Sequence, residues 1–136
     1  MRSSAVDTNV LIAALVREHE HHAVAIEPAA DATHVLGQVT IEAWSVLRRH
    51  FRLPADLVGT MLSRYREPRT MLAPSVEAYD RTLLRAPEAG LAGNIHDAVI
   101  VHSAAEADIH LVTLDAGLRR LASGVVSCSL ISPADR

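Results

Sequence analysis

The sequence predicts an α/β domain of three layers, with helices on both faces of a parallel sheet. Two observations predict it: short β-favouring runs recur along the chain, and a segment of helical periodicity follows each of them except the last. Strands that alternate with helices pair in parallel through right-handed crossovers and bury both faces of the sheet. At 136 residues with 49% hydrophobic content the chain can build one core but hardly two, so residues 1–136 are expected to form a single domain.

Residues 4–6 read as a first strand that ends at Asp7, and from Asn9 the pattern turns helical, with Val10, Leu11, Ala14 and Leu15 on one face. A second helix is expected over 19–26, closed by Pro28, before a β-favouring run at 33–36 that Gly37 ends. The third helix, about 39–51, has Thr40 as its cap and places Ile41, Trp44, Leu47 and Arg48 on a shared face. Pro54 opens a fourth helix reaching about Arg66, followed by a strand at 70–73 and a helix from the cap Ser75 to about Arg85. Gly90 and Gly93 interrupt the pattern. An apolar helix over about 94–107, a strand at 110–114, a short helix at 116–122 and a final strand near 126–131 complete the series.

Composition narrows the function. The longest apolar run, 10–16, is far short of the ~20 residues of a membrane span, and Asp7 and Asn9 interrupt any secretory leader, so a cytoplasmic protein is expected. Cys128 is the single cysteine, which excludes an intramolecular disulfide and a cysteine-rich zinc module. A net charge of −3 argues against nucleic-acid binding by bulk electrostatics, and 3% aromatic content argues against a broad base-stacking platform. Any nucleic-acid contact must therefore be local.

Four acids stand out. In an open parallel sheet the ligand crevice lies beyond the carboxyl ends of the strands, where the strand order reverses. Asp7 and Asp115 each end a strand, and if those strands are neighbours their carboxylates meet there. Two such charges repel unless a cation neutralises them, and oxygen ligands favour magnesium or manganese. Asp97 shares a stripe with Ile100, Val101 and Ala104, in the first turn of its helix, where the helix dipole favours a negative charge. Glu42 is flanked by Val39 and Val46, near another helix start. Each acid also has a plainer role: Asp7 and Asp115 as helix caps, Asp97 as a dipole partner, Glu42 as a capping or solvated residue.

Other groups are less committed. Arg48, Arg49 and Arg52 suit RNA phosphates or a solvated helix face, and His96 suits a phosphate contact or a local hydrogen bond. The run His19-Glu20-His21-His22 lacks the spacing of a His-Glu-x-x-His zinc helix. Trp44, Phe51 and Leu62 suit either a homodimer face or burial within one copy. A response-regulator receiver also clusters acids at strand ends, but it needs a lysine and all thirteen basic residues here are arginine.

Asp7-Thr8-Asn9-Val10 after the first strand, Glu42 in a Thr-x-Glu context, His96-Asp97-Ala98-Val99-Ile100 opening an apolar helix and Leu111-Val112-Thr113-Leu114-Asp115 together resemble a PIN-domain nuclease. Their order and spacing across nearly the whole chain are most similar to the single-domain VapC-type toxins of toxin–antitoxin pairs. The resemblance implies a central five-stranded parallel sheet, one or two Mg2+ or Mn2+ ions, endonucleolytic cleavage of transfer or ribosomal RNA by metal-activated water, and inhibition by a cognate antitoxin. It makes Asp7, Glu42, Asp97 and Asp115 the catalytic, metal-holding quartet and Asn9 and Thr113 their supports. Two positions depart from the pattern: Asp108 stands at a helix-to-strand turn where glycine is common, and Gly117 where some relatives carry another acid. The alternative is an inactive PIN-like module that acts by binding RNA or antitoxin.

Overall fold

The computed structural model describes residues 2–88 and 95–132. Among them the order is β1 (Ser4–Val6), α1 (Thr8–Leu15), α2 (His22–Asp31), β2 (His34–Leu36), α3 (Gly37–Arg49), α4 (Ala55–Arg66), β3 (Thr70–Leu72), α5 (Val76–Arg85), α6 (Ile95–Glu106), β4 (His110–Thr113), α7 (Ala116–Ala122) and β5 (Cys128–Leu130). The expected breaks at Gly90 and Gly93, and the expected helix start at Asn94, lie outside the described residues.

All strand pairs are parallel. β4 lies between β1 and β5, with Ala5 opposite Leu111 and Val112 opposite Ser129, while β2 pairs with β3. The expected single five-stranded sheet is therefore divided into a ladder of three strands and a ladder of two. Thr33 explains the division: its amide donates to the Ser4 carbonyl at 3.0 Å, but the Ser4 amide donates to the Thr33 hydroxyl at 2.9 Å rather than to a backbone carbonyl. A side chain replaces one rung, so the ladders adjoin without merging. The resulting spatial order is 3-2-1-4-5, which reverses direction between β1 and β4.

The core joins Val6 and Leu111 from the strands to Val10, Leu11, Val39, Leu47, Ile100 and Leu118 from the helices. Residues Ala98 through Ala104 of α6 are all buried, so this helix is enclosed on several sides rather than on one stripe, between α5 and α7. Leu62 is also buried and Phe51 packs against the core, so of the three residues considered for a dimer face only Trp44 stands clear of the core.

Two helix boundaries differ from expectation for identifiable reasons. α3 starts at Gly37, directly after β2, so Thr40 is not its cap; the Thr40 hydroxyl turns back onto the Gly37 carbonyl at 2.6 Å. α2 starts three residues later than expected and continues through Pro28 to Asp31. Its last carbonyls have strong partners outside the helix. Arg69 donates to Ala29, Ala30 and Ala32 at 3.0, 2.9 and 2.9 Å, the Tyr65 hydroxyl donates to Ala29 at 2.9 Å, and the guanidinium lies 3.9 Å above the Tyr65 ring. These bonds satisfy acceptors that a helix C-terminus leaves open and offset the donor lost at Pro28. Asp108 adopts a left-handed backbone, φ 53°, as its turn requires.

The planar fork of Arg69 fastens three carbonyls that lysine cannot reach together. Arg69→Met is expected to lower unfolding stability by roughly 3 kcal/mol, with Arg69→Lys recovering only a small part. Urea unfolding of the two variants checks this, and full recovery by lysine would refute the role of the fork.

Candidate active site

The β1–β4 pairing assembles the first two acids. Val6 lies opposite Val112, and the Asp7 amide continues the ladder by donating to the Val112 carbonyl at 3.1 Å. Asp7 is then the N-cap of α1, its Oδ1 accepting from the Val10 amide at 3.1 Å, and Asp115 is the N-cap of α7, its Oδ1 accepting from the Gly117 amide at 2.8 Å. Both capping roles are thus real, and both set the carboxylates at the carboxyl ends of adjacent strands. Thr113 joins them. Its buried hydroxyl donates to Asp7 Oδ2 and accepts from the Asp115 amide at 2.9 Å.

Gly117 fits this arrangement, since a Cβ there would lie only 3.2 Å from Asp115 Oδ1 and crowd the carboxylate. Asp97 enters from the first turn of α6 and Glu42 from α3, both half-buried. Burial, opposed by the bonds from Thr113 and Val10, pushes the Asp7 pKa from an ordinary 3.8 to about 6, and the charges of Asp97 and Asp115 add to the rise. Asp97 is raised by burial and by Asp115, and Glu42 by burial and by Asp97; the His96 imidazole draws both back down. The four acids therefore share one field. Among the described residues none of them forms an ion pair.

Two buried oxygens sharpen the picture: Glu42 Oε1 and the Thr8 hydroxyl have no hydrogen-bond partner. The Thr8 hydroxyl is near enough to lower the Glu42 pKa without completing a bond of ordinary geometry. An orphaned carboxylate oxygen in the field of Asp97 suits a divalent cation with a preference for hard oxygen donors. Among the described residues no three such side chains are already gathered around one point, so a bound ion would draw them inward.

The supports differ in strength. Thr113 is central, whereas Asn9 is exposed and, among the described residues, has no hydrogen bond to the acids. Arg48 donates to the Leu53 carbonyl at 2.8 Å and so closes the turn after α3, leaving Arg49 and Arg52 as the exposed cations of the trio without such a bond. Sequence reading overlooked Thr8 and Gln38. The Gln38 amide meets His96 Nδ1 at 3.0 Å and fixes the imidazole beside Glu42 and Asp97, a contact across 58 positions that no local pattern announces.

The raised pKa of Asp7 has a measurable sign. Between pH 4 and 6 the unfolded chain releases this proton while the folded chain still holds it, so metal-free stability falls as pH rises across that window and levels off above it. The fall attributable to Asp7 is about 3 kcal/mol. Urea unfolding in EDTA should show this decline, and Asp7→Asn should flatten it; an equal slope in the variant would refute the assignment.

The comparisons with known proteins agree with this geometry. The PIN domain family matches residues 5–124. Over 117 residues the chain is 34% identical to Ribonuclease VapC27 of Mycobacterium tuberculosis, covering 82% of this chain and 84% of that protein. Mycobacterium tuberculosis VapC20, described as a sarcin-ricin loop cleaving toxin, superposes with a TM-score of 0.71 at 19% identity, covering 91% of this chain and 97% of that one. VapBC2 from Rickettsia felis, bound to a DNA fragment from their promoter, gives a TM-score of 0.68 at 15% identity, covering 93% and 97%. The two structures speak to the fold, and the match to the PIN domain together with the closer sequence relative speaks to descent: the chain belongs to the PIN-domain family, among the VapC ribonuclease toxins.

Proposed function

We propose that the chain is a divalent-metal-dependent endoribonuclease, acting in the cytoplasm as the toxin of a toxin–antitoxin pair and cleaving structured RNA, either transfer or ribosomal. The observation that carries this reading is the set of four electrostatically coupled acids, Asp7 and Asp115 at the ends of β1 and β4 with Asp97 from α6 and Glu42 from α3, with no cationic side chain paired to them among the described residues. Asp7, Glu42, Asp97 and Asp115 would hold one or two Mg2+ or Mn2+ ions. Such an ion supplies Lewis-acid polarisation of a phosphoryl oxygen and acidifies a water at neutral pH.

The chain's own residues do the rest. Asp7 is held rigidly by Val10 and Thr113, while Glu42 keeps an oxygen without a protein partner. Glu42 and Asp97, whose proton affinity burial raises, are suited to take the proton from the attacking water. The exposed Arg49 and Arg52 are the proposed contacts to RNA phosphates. The kinship with Ribonuclease VapC27, and the likeness to VapC20 and VapBC2, support RNA as substrate and a cognate antitoxin as partner.

Cleavage of total cellular RNA by protein freed of antitoxin tests the reading, with Mg2+, Mn2+ or EDTA, beside Asp7→Asn and Asp97→Asn. Discrete fragments should require metal and fall by roughly 100-fold or more in both variants. A folded, metal-loaded protein that cuts no RNA would favour the inactive binding module instead.

A homodimer completes the proposal. Ile41 of α3, Met71 of β3 and Tyr79 and Leu83 of α5 expose apolar surface along a groove of 820 Å³. A second copy covering that groove would hide it from water. Light scattering is expected to give twice the chain mass, and Ile41→Glu with Leu83→Glu to give the monomer; a monomeric wild type at high concentration would reject it.

A further inference from the structure

A second pocket, of 480 Å³, is lined by His19, Glu20, His21, His50 and Phe51. Asn9 and Leu114 line it too, and they stand two residues after Asp7 and one before Asp115, so the pocket adjoins the crevice. Its size falls within the roughly 300–1,000 Å³ of small-molecule sites. We infer that this pocket is a nucleobase site, holding an unpaired RNA base beside the phosphodiester placed at the acids. The inference rests on the proposed ribonuclease activity and deepens it.

The composition of the pocket is the first argument. The chain has a single phenylalanine and only 3% aromatic residues, yet that phenylalanine and three histidines gather here. Their rings do not cover one another. His19 lies tilted 48° to His21 at 5.6 Å and 40° to Phe51 at 6.4 Å, while His50 meets Phe51 edge-on at 4.8 Å. Without face-to-face stacking among themselves, the rings have faces to offer a base, and flat π surfaces beside a backbone-binding track are how unpaired nucleotides are held.

The second argument is that both walls are preorganised. On one side the His21 amide donates to His19 Nδ1 at 3.0 Å, which fixes the tautomer with hydrogen on Nε2, and His22 Nδ1 is tied to the Ala13 carbonyl at 2.8 Å. On the other, the Phe51 amide donates to Val46 at 3.3 Å, the Leu53 amide to Leu47 at 3.1 Å and Arg48 to Leu53 at 2.8 Å. Between those bonds Arg52 is forced into a left-handed conformation, φ 55°, which L-residues other than glycine adopt at a cost. Strain of that kind persists only where surrounding bonds over-determine the turn, and here the turn sets Phe51 against the pocket. The His19 Nε2–H, the Glu20 carboxylate and the Asn9 amide supply donors and acceptors at the rim for the polar edge of a base.

Short oligoribonucleotides that differ only in the base next to the cleaved bond test the inference, with kcat/KM measured for each of the four bases. Wild type should discriminate among them. Phe51→Leu, which keeps apolar bulk without a ring, and His19→Gln with the exposed His50→Gln should each reduce that discrimination by roughly tenfold while cleavage continues. Because His50 lies on the surface, the histidine variant remains informative if Phe51→Leu fails to fold. In EDTA, 4-thiouridine placed at the same position should photocrosslink to the peptides carrying His19 or Phe51. Equal slowing of all four oligonucleotides, or an unchanged preference, would overturn the pocket and leave the nuclease standing. An active-site failure is distinct from this: no cleavage of any RNA with either metal, and no crosslink, would remove both.

Discussion

The bond from Thr113 to Asp7 is the constraint on which the site depends. One hydroxyl donates to the carboxylate after β1 and accepts the amide of the aspartate after β4. It can do so only because β1 and β4 are paired in the register that sets Val6 against Val112. Shifting a strand by one residue would turn its side chains to the opposite face and separate the two aspartates. Strand register and acid geometry are therefore a single fact, fixed by a buried polar contact that the apolar core encloses.

That contact imposes a conflict. Asp7 is almost fully buried, in the field of two other aspartates, and its proton affinity rises despite two hydrogen bonds that favour the charge. Burial of the apolar core, which includes Val10, Leu11, Ile100 and Leu111, must offset that cost. A chain selected for stability alone would place a neutral group here. Under the proposed function a divalent cation would compensate the clustered charge, and the cost of holding the acids together would be returned as affinity for that ion. The same economy applies at Glu42, whose orphaned oxygen lies in a half-buried setting where water or an ion must satisfy it.

Much of this was legible in the sequence, because alternation of strand and helix and the acids after two β-favouring runs are local patterns. All five strands, the Ser75 cap and the Asp108 turn lie where those patterns put them. What local patterns could not supply are contacts across distance. Thr33 exchanging a side-chain bond with Ser4 divides the sheet, and Arg69 holding the end of α2 carries the helix past Pro28, which sequence rules read as a stop. Gln38 orienting His96 and the convergence of His19 with His50 and Phe51 are of the same kind. Asp7 and Asp115 could be read together because both follow strand ends; the meeting of His19 with His50 and Phe51 could not, because in the sequence His19 reads only within its own run and Phe51 only as a dimer-face or buried residue.

The charge distribution connects these parts. With a net charge of −3 and four acids at its centre, the metal-free crevice repels the phosphates it is proposed to cut. On the proposed function, cation loading would precede or accompany entry of the RNA backbone. The exposed arginines do not sit among the acids but beyond them, at the end of α3 and in the turn that follows, next to the pocket of histidines and Phe51. Attraction for the backbone and a flat surface for a base therefore lie on the same side of the crevice. On the proposed function, specificity would come from contacts flanking the scissile bond, and the acids would contribute chemistry without reading sequence.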